Sequence, residues 1–274
     1  MASPPQRRGV VTGAGSGIGK AAVRRLAREG VRVLAIDVNA AGLAELKAEA
    51  VETLTADITD PNDRDAIGDW ANGAHYRVNS AGVVLIKPIF EITVEDWRRV
   101  QTVNAEATFF LCQKIGPKLA AGGAIVNLSS SSAKYATTVD VSAYAASKTT
   151  ILSITRSFAY ALAPRRVRVN AILPGIVDTA MQEEVLAKVA PMRGLTADEW
   201  RDARSRAVPL GRGASADECA GLIWFLLSDE AAYMTGQAIN FTGGLVTWRF
   251  RKGRRDEEAD IGLRDGPRTP RRSL

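Results

Sequence analysis

The sequence predicts a single α/β domain, a doubly wound parallel sheet of seven strands with helices on both faces. Three observations carry that expectation. Short apolar runs alternate with longer amphipathic segments along most of the chain. A glycine-rich turn, Thr12-Gly13-Ala14-Gly15-Ser16-Gly17-Ile18-Gly19, follows the first of those runs. A chain of 274 residues with 46% hydrophobic content can also bury one sizeable core, at a length where α/β folds are commonly one domain.

In order, residues 9–12 are the first strand, an apolar run ending at the glycine turn, and 18–29 the helix that the turn opens. The run Val-Arg-Val-Leu-Ala-Ile over 31–36 is the second strand, followed by an Ala- and Leu-rich helix over 40–50. A short third strand at 52–56 leads to a helix over 61–72 that begins on a proline. Strands at 75–79, 124–128 and 167–172 are separated by two long amphipathic segments, 94–120 and 142–163, both predicted as helices. Between 179 and 209 a mixed stretch with Met181, Pro191, Met192, Gly194 and Trp200 predicts two short helices around a mobile turn. A helix at 216–228 and a strand at 238–241 complete the alternation, so the domain spans 1–248.

Composition narrows the chemistry. One histidine, His75, and two separated cysteines, Cys112 and Cys219, give no metal-ligand spacing, and no Gly-x-Ser-x-Gly elbow marks a serine hydrolase. The cysteines lie in apolar helical patterns, which suits free buried thiols in a reducing, cytoplasmic compartment. No apolar run reaches the roughly 18 residues that span a bilayer, and the N-terminal residues lack an apolar leader core, so a soluble, unexported protein without membrane contact is expected. The net charge of +6 is uneven: residues 249–274 hold nine basic and five acidic side chains. That basic tail is expected to be solvated and disordered, and nucleic-acid binding is not expected of it.

The glycine turn has the conformation-permissive residues that let a backbone bend tightly and present N–H groups and a helix dipole to a pyrophosphate, a Rossmann-type arrangement. Asp37 ends the next strand, 18 residues after Gly19, where a carboxylate hydrogen-bonds an adenosine ribose and repels a 2′-phosphate. No Arg or Lys occupies 14–16 or 38–40 to attract such a phosphate, so NAD is favoured over NADP. Asp57 follows the third strand and suits an adenine amino group. Asn79-Ser80-Ala81-Gly82 ends the fourth with small residues that allow close approach of a ring or ribose. Downstream, Tyr144 and Lys148 are four apart on a predicted helix, on one side, where an ammonium can stabilise a phenolate.

Together these motifs, with Asn104, the serine run 129–132 and Pro174-Gly175-Ile176-Val177-Asp178-Thr179, resemble the short-chain dehydrogenase/reductase family over nearly all of 7–248. The resemblance implies that Tyr144 is the acid/base and that Lys148 bonds the nicotinamide ribose and lowers the phenol's pKa. It further implies that Asn104 holds a water in a proton relay and that Ser130 bonds the substrate oxygen. Counting back thirteen from Tyr144 instead gives Ser131, which stays open beside Ser130. The implied cofactor contacts are Gly13, Ser16, Gly17, Ile18, Gly19, Asp37, Asp57, Ile58, Asn79, Ala81, Gly82, Tyr144, Lys148, Pro174, Gly175, Val177 and Thr179, with no metal. A phenol working near pH 7 needs about 4 kcal/mol in favour of its phenolate. The stretch 180–208 is expected to form a substrate lid, and Met181, Met192 and Trp200 to pack it. Polyol and diol dehydrogenases are the looser likeness, so a small secondary alcohol or its ketone is the expected substrate and a homotetramer the expected assembly. A 3-oxoacyl or steroid-type substrate stays open, as does an NAD(H)-binding regulator without turnover.

Overall fold

Side-chain alternation along short apolar runs builds the central sheet. The structure is a computed structural model that describes residues 6–46, 50–135 and 139–247. Strands β1 (Arg8–Thr12), β2 (Arg32–Asp37), β3 (Val51–Thr55), β4 (Tyr76–Asn79), β5 (Ala124–Leu128), β6 (Arg168–Pro174) and β9 (Ala238–Phe241) form one sheet in the order β3-β2-β1-β4-β5-β6-β9. Every neighbouring pair in it is parallel. The doubly wound, seven-stranded architecture is thus as the alternation predicted. Successive residues serve opposite faces: Val10 and Ile125 pack with helices α3 (Pro61–Trp70), α5 (Ala107–Ile115) and α6 (Ser142–Leu162). Val11 and Val126 pack with α1 (Gly17–Arg28) and α9 (Ala216–Leu227). Strands buried on both faces read as near-continuous apolar runs, and full burial of each such side chain contributes about 1.5–3 kcal/mol.

Strand order reverses between β1 and β4, where Thr12 lies opposite Asn79. A crevice opens beyond the carboxyl ends of strands at such a reversal. The fold therefore fixes the site before any side chain is considered.

Three features depart from the sequence expectation. The predicted helix 94–120 is not uniform: α4 (Val94–Gln101) passes through a π-helical turn, Thr102–Glu106, into α5, and a 3-10 turn at Gly116–Lys118 follows. The second helix, α2 (Ala40–Ala44), is shorter than the expected 40–50: it ends at its C-cap Glu45, and Glu45 and Leu46 form a turn before 47–49, which lie outside the described residues. A two-stranded ribbon of β7 (Val177–Asp178) and β8 (Ala214–Ser215), unforeseen because each strand has two residues, ties together the two ends of the segment holding α7 (Ala180–Met192) and α8 (Ala197–Ala207). The basic stretch 249–274 lies outside the described residues. Among the described residues no helix is long and apolar enough to cross a membrane.

Candidate active site

One cleft of about 800 Å³ lies over the strand reversal, within the range of sites that hold a cofactor and a small substrate. Its floor is the glycine turn. Gly13 has φ +68°, and a Cβ there would lie 2.6 Å from Ala81 N, so the turn and the end of β4 approach as only glycine permits. A Cβ on Gly19 would overlap the Gly13 carbonyl, which lets α1 pack directly onto the turn.

The N-terminus of α1 has no side-chain cap and no acid in its first turn, with Ser16 at the cap position. The helices α2, α3, α4, α7, α8 and α9 all receive a side-chain cap, from Asn39, Asp60, Thr93, Thr179, Thr196 and Ser215. Ser16, Gly17, Ile18 and Gly19 line the cleft. An uncapped helix start facing a cavity is suited to a phosphate or pyrophosphate, so the residues present fit a dinucleotide. Asp37 also lines the cleft; its Oδ2 accepts from Gly15 N at 2.9 Å and its Oδ1 from Asn39 N at 2.9 Å. Those two bonds fix the carboxylate and leave each oxygen a lone pair for a ribose hydroxyl. Asp57 and Ile58 line the cleft as well, although Asp57 Oδ1 accepts from both Thr59 N and Thr59 Oγ1 at 2.8 Å, an Asx turn.

On the opposite wall, β5 runs into Ser129 and Ser130, and α6 presents Tyr144 and Lys148 one turn apart. Ser130 is the serine whose hydroxyl bonds the Tyr144 phenol, while Ser131 begins a 3-10 turn. Ser130 Oγ also accepts from Ser132 N at 3.2 Å. Burial raises the phenol's pKa, and the Ser130 bond works against it. The ammonium of Lys148 lies 5.7 Å from the Tyr144 ring centroid and donates to Leu128 O at 3.0 Å; burial lowers its pKa to about 8. Among the protein's own groups, desolvation in this crevice is thus the largest influence on the phenol.

Asn104 is fully buried in the π turn and does not line the cleft. Its Oδ1 accepts from Val83 N at 2.8 Å, and its Nδ2 donates to Val83 O and Ser147 Oγ, each at 2.9 Å. Ser147 in turn donates to Tyr144 O at 2.7 Å. The side chain thus pins the 82–83 loop to the helix carrying Tyr144. Gly82 leaves the space in front of it, since a Cβ there would lie 3.1 Å from both Asn104 Oδ1 and Lys148 Nζ.

Of the residues singled out in the sequence, Gly13, Ala81, Gly82, Pro174, Gly175, Val177 and Thr179 line this cleft with those above. Asn79 does not. Its side chain turns under the sheet, where Nδ2 donates to Asn127 Oδ1 at 2.7 Å and Arg77 donates to its Oδ1. Strand alternation decides this: Thr12 and Asn79 are register partners, and the side chains of β4 at 77 and 79 share the face that α5 covers. Sequence reasoning missed Arg193 and Arg204, which line the cleft with Trp200. The available signal was the i, i+4 spacing of Trp200 and Arg204. Met181 lines the cleft, whereas Met192 is half exposed and does not.

The chain is similar to known proteins along most of its length. The family described as Enoyl-(Acyl carrier protein) reductase matches residues 13–246. A D-threitol dehydrogenase of Mycolicibacterium smegmatis is 36% identical over 247 residues, covering 86% of this chain and 91% of the relative. A 3-oxoacyl-(acyl-carrier-protein) reductase of Thermotoga maritima is 34% identical over 249 residues, covering 86% and 96%. Among solved structures, a short chain dehydrogenase family protein from Francisella tularensis superposes with a TM-score of 0.81 at 30% identity, covering 88% of this chain and 98% of that one.

Proposed function

The chain belongs to the short-chain dehydrogenase/reductase family, and on that premise we propose that it is an NAD-dependent dehydrogenase of small polyols or diols. The observation that carries the reading is the placement of Ser130, Tyr144 and Lys148 across one cleft from an uncapped helix N-terminus.

A bound nicotinamide dinucleotide supplies the hydride acceptor. The chain's residues do the rest. Ser130 donates to the substrate oxygen and holds it against Tyr144. Tyr144 takes the hydroxyl proton in oxidation and returns it in reduction, and its burial-raised pKa keeps it protonated until positive charge enters the cleft. Lys148 supplies a permanent part of that charge below about pH 8. Asn104 is a positioning residue that fixes the 82–83 loop and, through Ser147, the backbone at Tyr144. Helices α7 and α8 close the substrate side as a lid.

The Asp37 carboxylate, held at the cleft by two backbone N–H groups, supports NAD over NADP, because a 2′-phosphate there would meet a like charge. The threitol dehydrogenase likeness supports the substrate class. A second reading, reduction of a 3-oxoacyl thioester, is favoured by the apolar lid wall at Val185, Val189 and Leu195 and by the Thermotoga maritima relative. Two buried free thiols, Cys112 and Cys219, support a reducing compartment such as the cytoplasm. The half-exposed aromatic residues Trp97, Phe109 and Phe110 on α4 and α5 support assembly through those helices into a tetramer. Sedimentation of the 29.3 kDa chain should show a single four-chain species; a monomer would contradict that assembly.

The test is NADH formation followed at 340 nm with threitol, sorbitol and 2,3-butanediol, in the intact protein and in Tyr144→Phe. Turnover that Tyr144→Phe abolishes supports the reading. A variant that keeps most of its kcat removes Tyr144 from the chemistry.

A further inference from the structure

Six buried side-chain nitrogen and oxygen atoms have no hydrogen-bond partner among the described residues. Three of them belong to the lid: Arg193 Nε, Trp200 Nε1 and Arg204 Nη1. All three residues line the cleft. All three atoms are N–H donors, and neither a guanidinium nor an indole offers an acceptor, so the cluster cannot satisfy itself. The Arg193 guanidinium lies 4.5 Å above the Trp200 ring centroid, and Trp200 and Arg204 share one face of α8 at i, i+4.

Neither arginine forms an ion pair among the described residues. On the same two helices Glu183 pairs with Arg201 at 2.8 Å, Glu184 pairs with Lys188 at 2.7 Å, Glu199 serves the capping box of α8, and Asp202 is exposed. Arg201, three residues before Arg204, faces outward to Glu183 and Asp198. Burial and the neighbouring Arg193 charge both hold the Arg204 pKa below its ordinary value. Two like charges crowded on one partly dehydrated wall of the cleft, with no carboxylate paired to either, are costly, and an incoming anion removes the cost. The walls between are apolar, with Val185, Val189 and Ala207, so no lid acid competes for the guanidinium groups there.

We propose that Arg193, Trp200 and Arg204 form a recognition site for an anionic oxygen group, carboxylate or phosphoryl, carried by the substrate away from its carbinol carbon. The proposal rests on the dehydrogenase reading and refines its substrate: a hydroxy acid or a phosphorylated polyol rather than a neutral polyol. The reaction is unchanged in its balance. The carbinol C–H pair leaves as hydride to NAD, the O–H proton goes to Tyr144, and the products are the oxo acid or oxo phosphate, NADH and a proton. Guanidinium groups are suited to this task because their planar N–H fork matches both carboxylate and phosphoryl oxygens.

The experiment compares kcat/KM at saturating NAD for three matched pairs: 3-hydroxybutanoate and 1,3-butanediol, 4-hydroxypentanoate and 1,4-pentanediol, sorbitol 6-phosphate and sorbitol. At least one anionic member should exceed its neutral partner by about tenfold or more, because the neutral molecule leaves buried donors unpaired. Which pair shows the preference identifies carboxylate or phosphoryl. Arg193→Gln and Arg204→Gln should each bring that ratio towards one, mainly through KM. Neutral members that react as well as their anionic partners overturn the proposal, as does a ratio that both variants leave unchanged. A parallel calorimetric titration of 3-hydroxybutanoate and of sorbitol 6-phosphate into NADH-loaded Tyr144→Phe protein separates this claim from the catalytic one. Anion binding lost on Arg204→Gln, with NADH affinity retained, supports the site even where no compound is turned over, and total absence of turnover then counts against the dehydrogenase reading alone. Absence of anion binding, or equal loss of NADH and anion affinity, overturns the site.

Discussion

Lys148 shows how one buried side chain ties chemistry to stability. Its ammonium is nearly inaccessible and donates to Leu128 O, and burial brings its pKa from 10.5 to about 8. Between those two values the unfolded chain binds a proton that the native protein does not, so stability rises with pH across that window. Below pH 8 both states are protonated and the full cost of the buried charge is present. In cofactor-free protein the unfolding free energy should rise from pH 8 to 10.5 by about 3 kcal/mol relative to Lys148→Met, measured by urea titration at each pH. Equal pH slopes for the two proteins would show that the ammonium carries no desolvation cost. Residue identity alone was a partial guide here. Asn79 and Asn104 are both buried asparagines near the cleft, yet Asn79 joins a polar network under the sheet and Asn104 pins the 82–83 loop. The difference depends on strand facing and on a π turn, neither of which the residue type reveals.

Among the described elements, β4 is at odds with its surroundings. A parallel strand buried on both faces should be apolar, but β4 puts Arg77 and Asn79 on the face that α5 covers, beside Asn127 of β5. Arg77 is fully buried; one nitrogen donates to Asn79, while Nε and Nη1 lack partners among the described residues, and burial lowers its pKa to about 10. Replacing an unpaired buried ion with an apolar side chain of similar length relieves that cost. Arg77→Met should therefore stabilise the protein by about 2 kcal/mol and raise Tm by about 4–8 °C. A lowered Tm would mean that the Asn79 bond outweighs the desolvation. Elements were legible in the sequence where hydrophobic pattern dictates them. All seven strands of the main sheet fall within two residues of their expected bounds, because the apolar runs have no other place in a doubly wound fold. The π turn at Thr102–Glu106 was not legible, since one extra residue in a helical turn leaves composition and amphipathicity nearly unchanged. Ribbon β7–β8 was missed because two-residue strands have no period to read.

At the scale of the molecule, topology does the assembling. Parallel strands bring the ends of β1, β2, β3, β4, β5 and β6 to one edge, and the reversal between β1 and β4 splits that edge into a crevice. Motifs that lie about 130 residues apart in the chain, the turn at Gly13 and the pair Tyr144 and Lys148, come to line one cleft. That much follows from a pattern visible in the sequence. The two helices of the stretch 180–208 were expected as well, but the ribbon that ties their ends and their cleft-lining arginines were not, because those arginines look like ordinary surface charge in one dimension. The central claim, an NAD-linked dehydrogenase acting through Tyr144, is tested most directly by absorbance at 340 nm with NAD and with NADP. The panel is the neutral polyols and diols together with their anionic counterparts, run on the intact chain and on Tyr144→Phe. NADH should form with at least one compound, with kcat/KM for NAD exceeding that for NADP by about tenfold or more, and Tyr144→Phe should abolish it while NADH still binds. A preference for NADP would contradict the role given to Asp37, and a Tyr144→Phe variant that keeps most of its kcat would contradict the account at its centre.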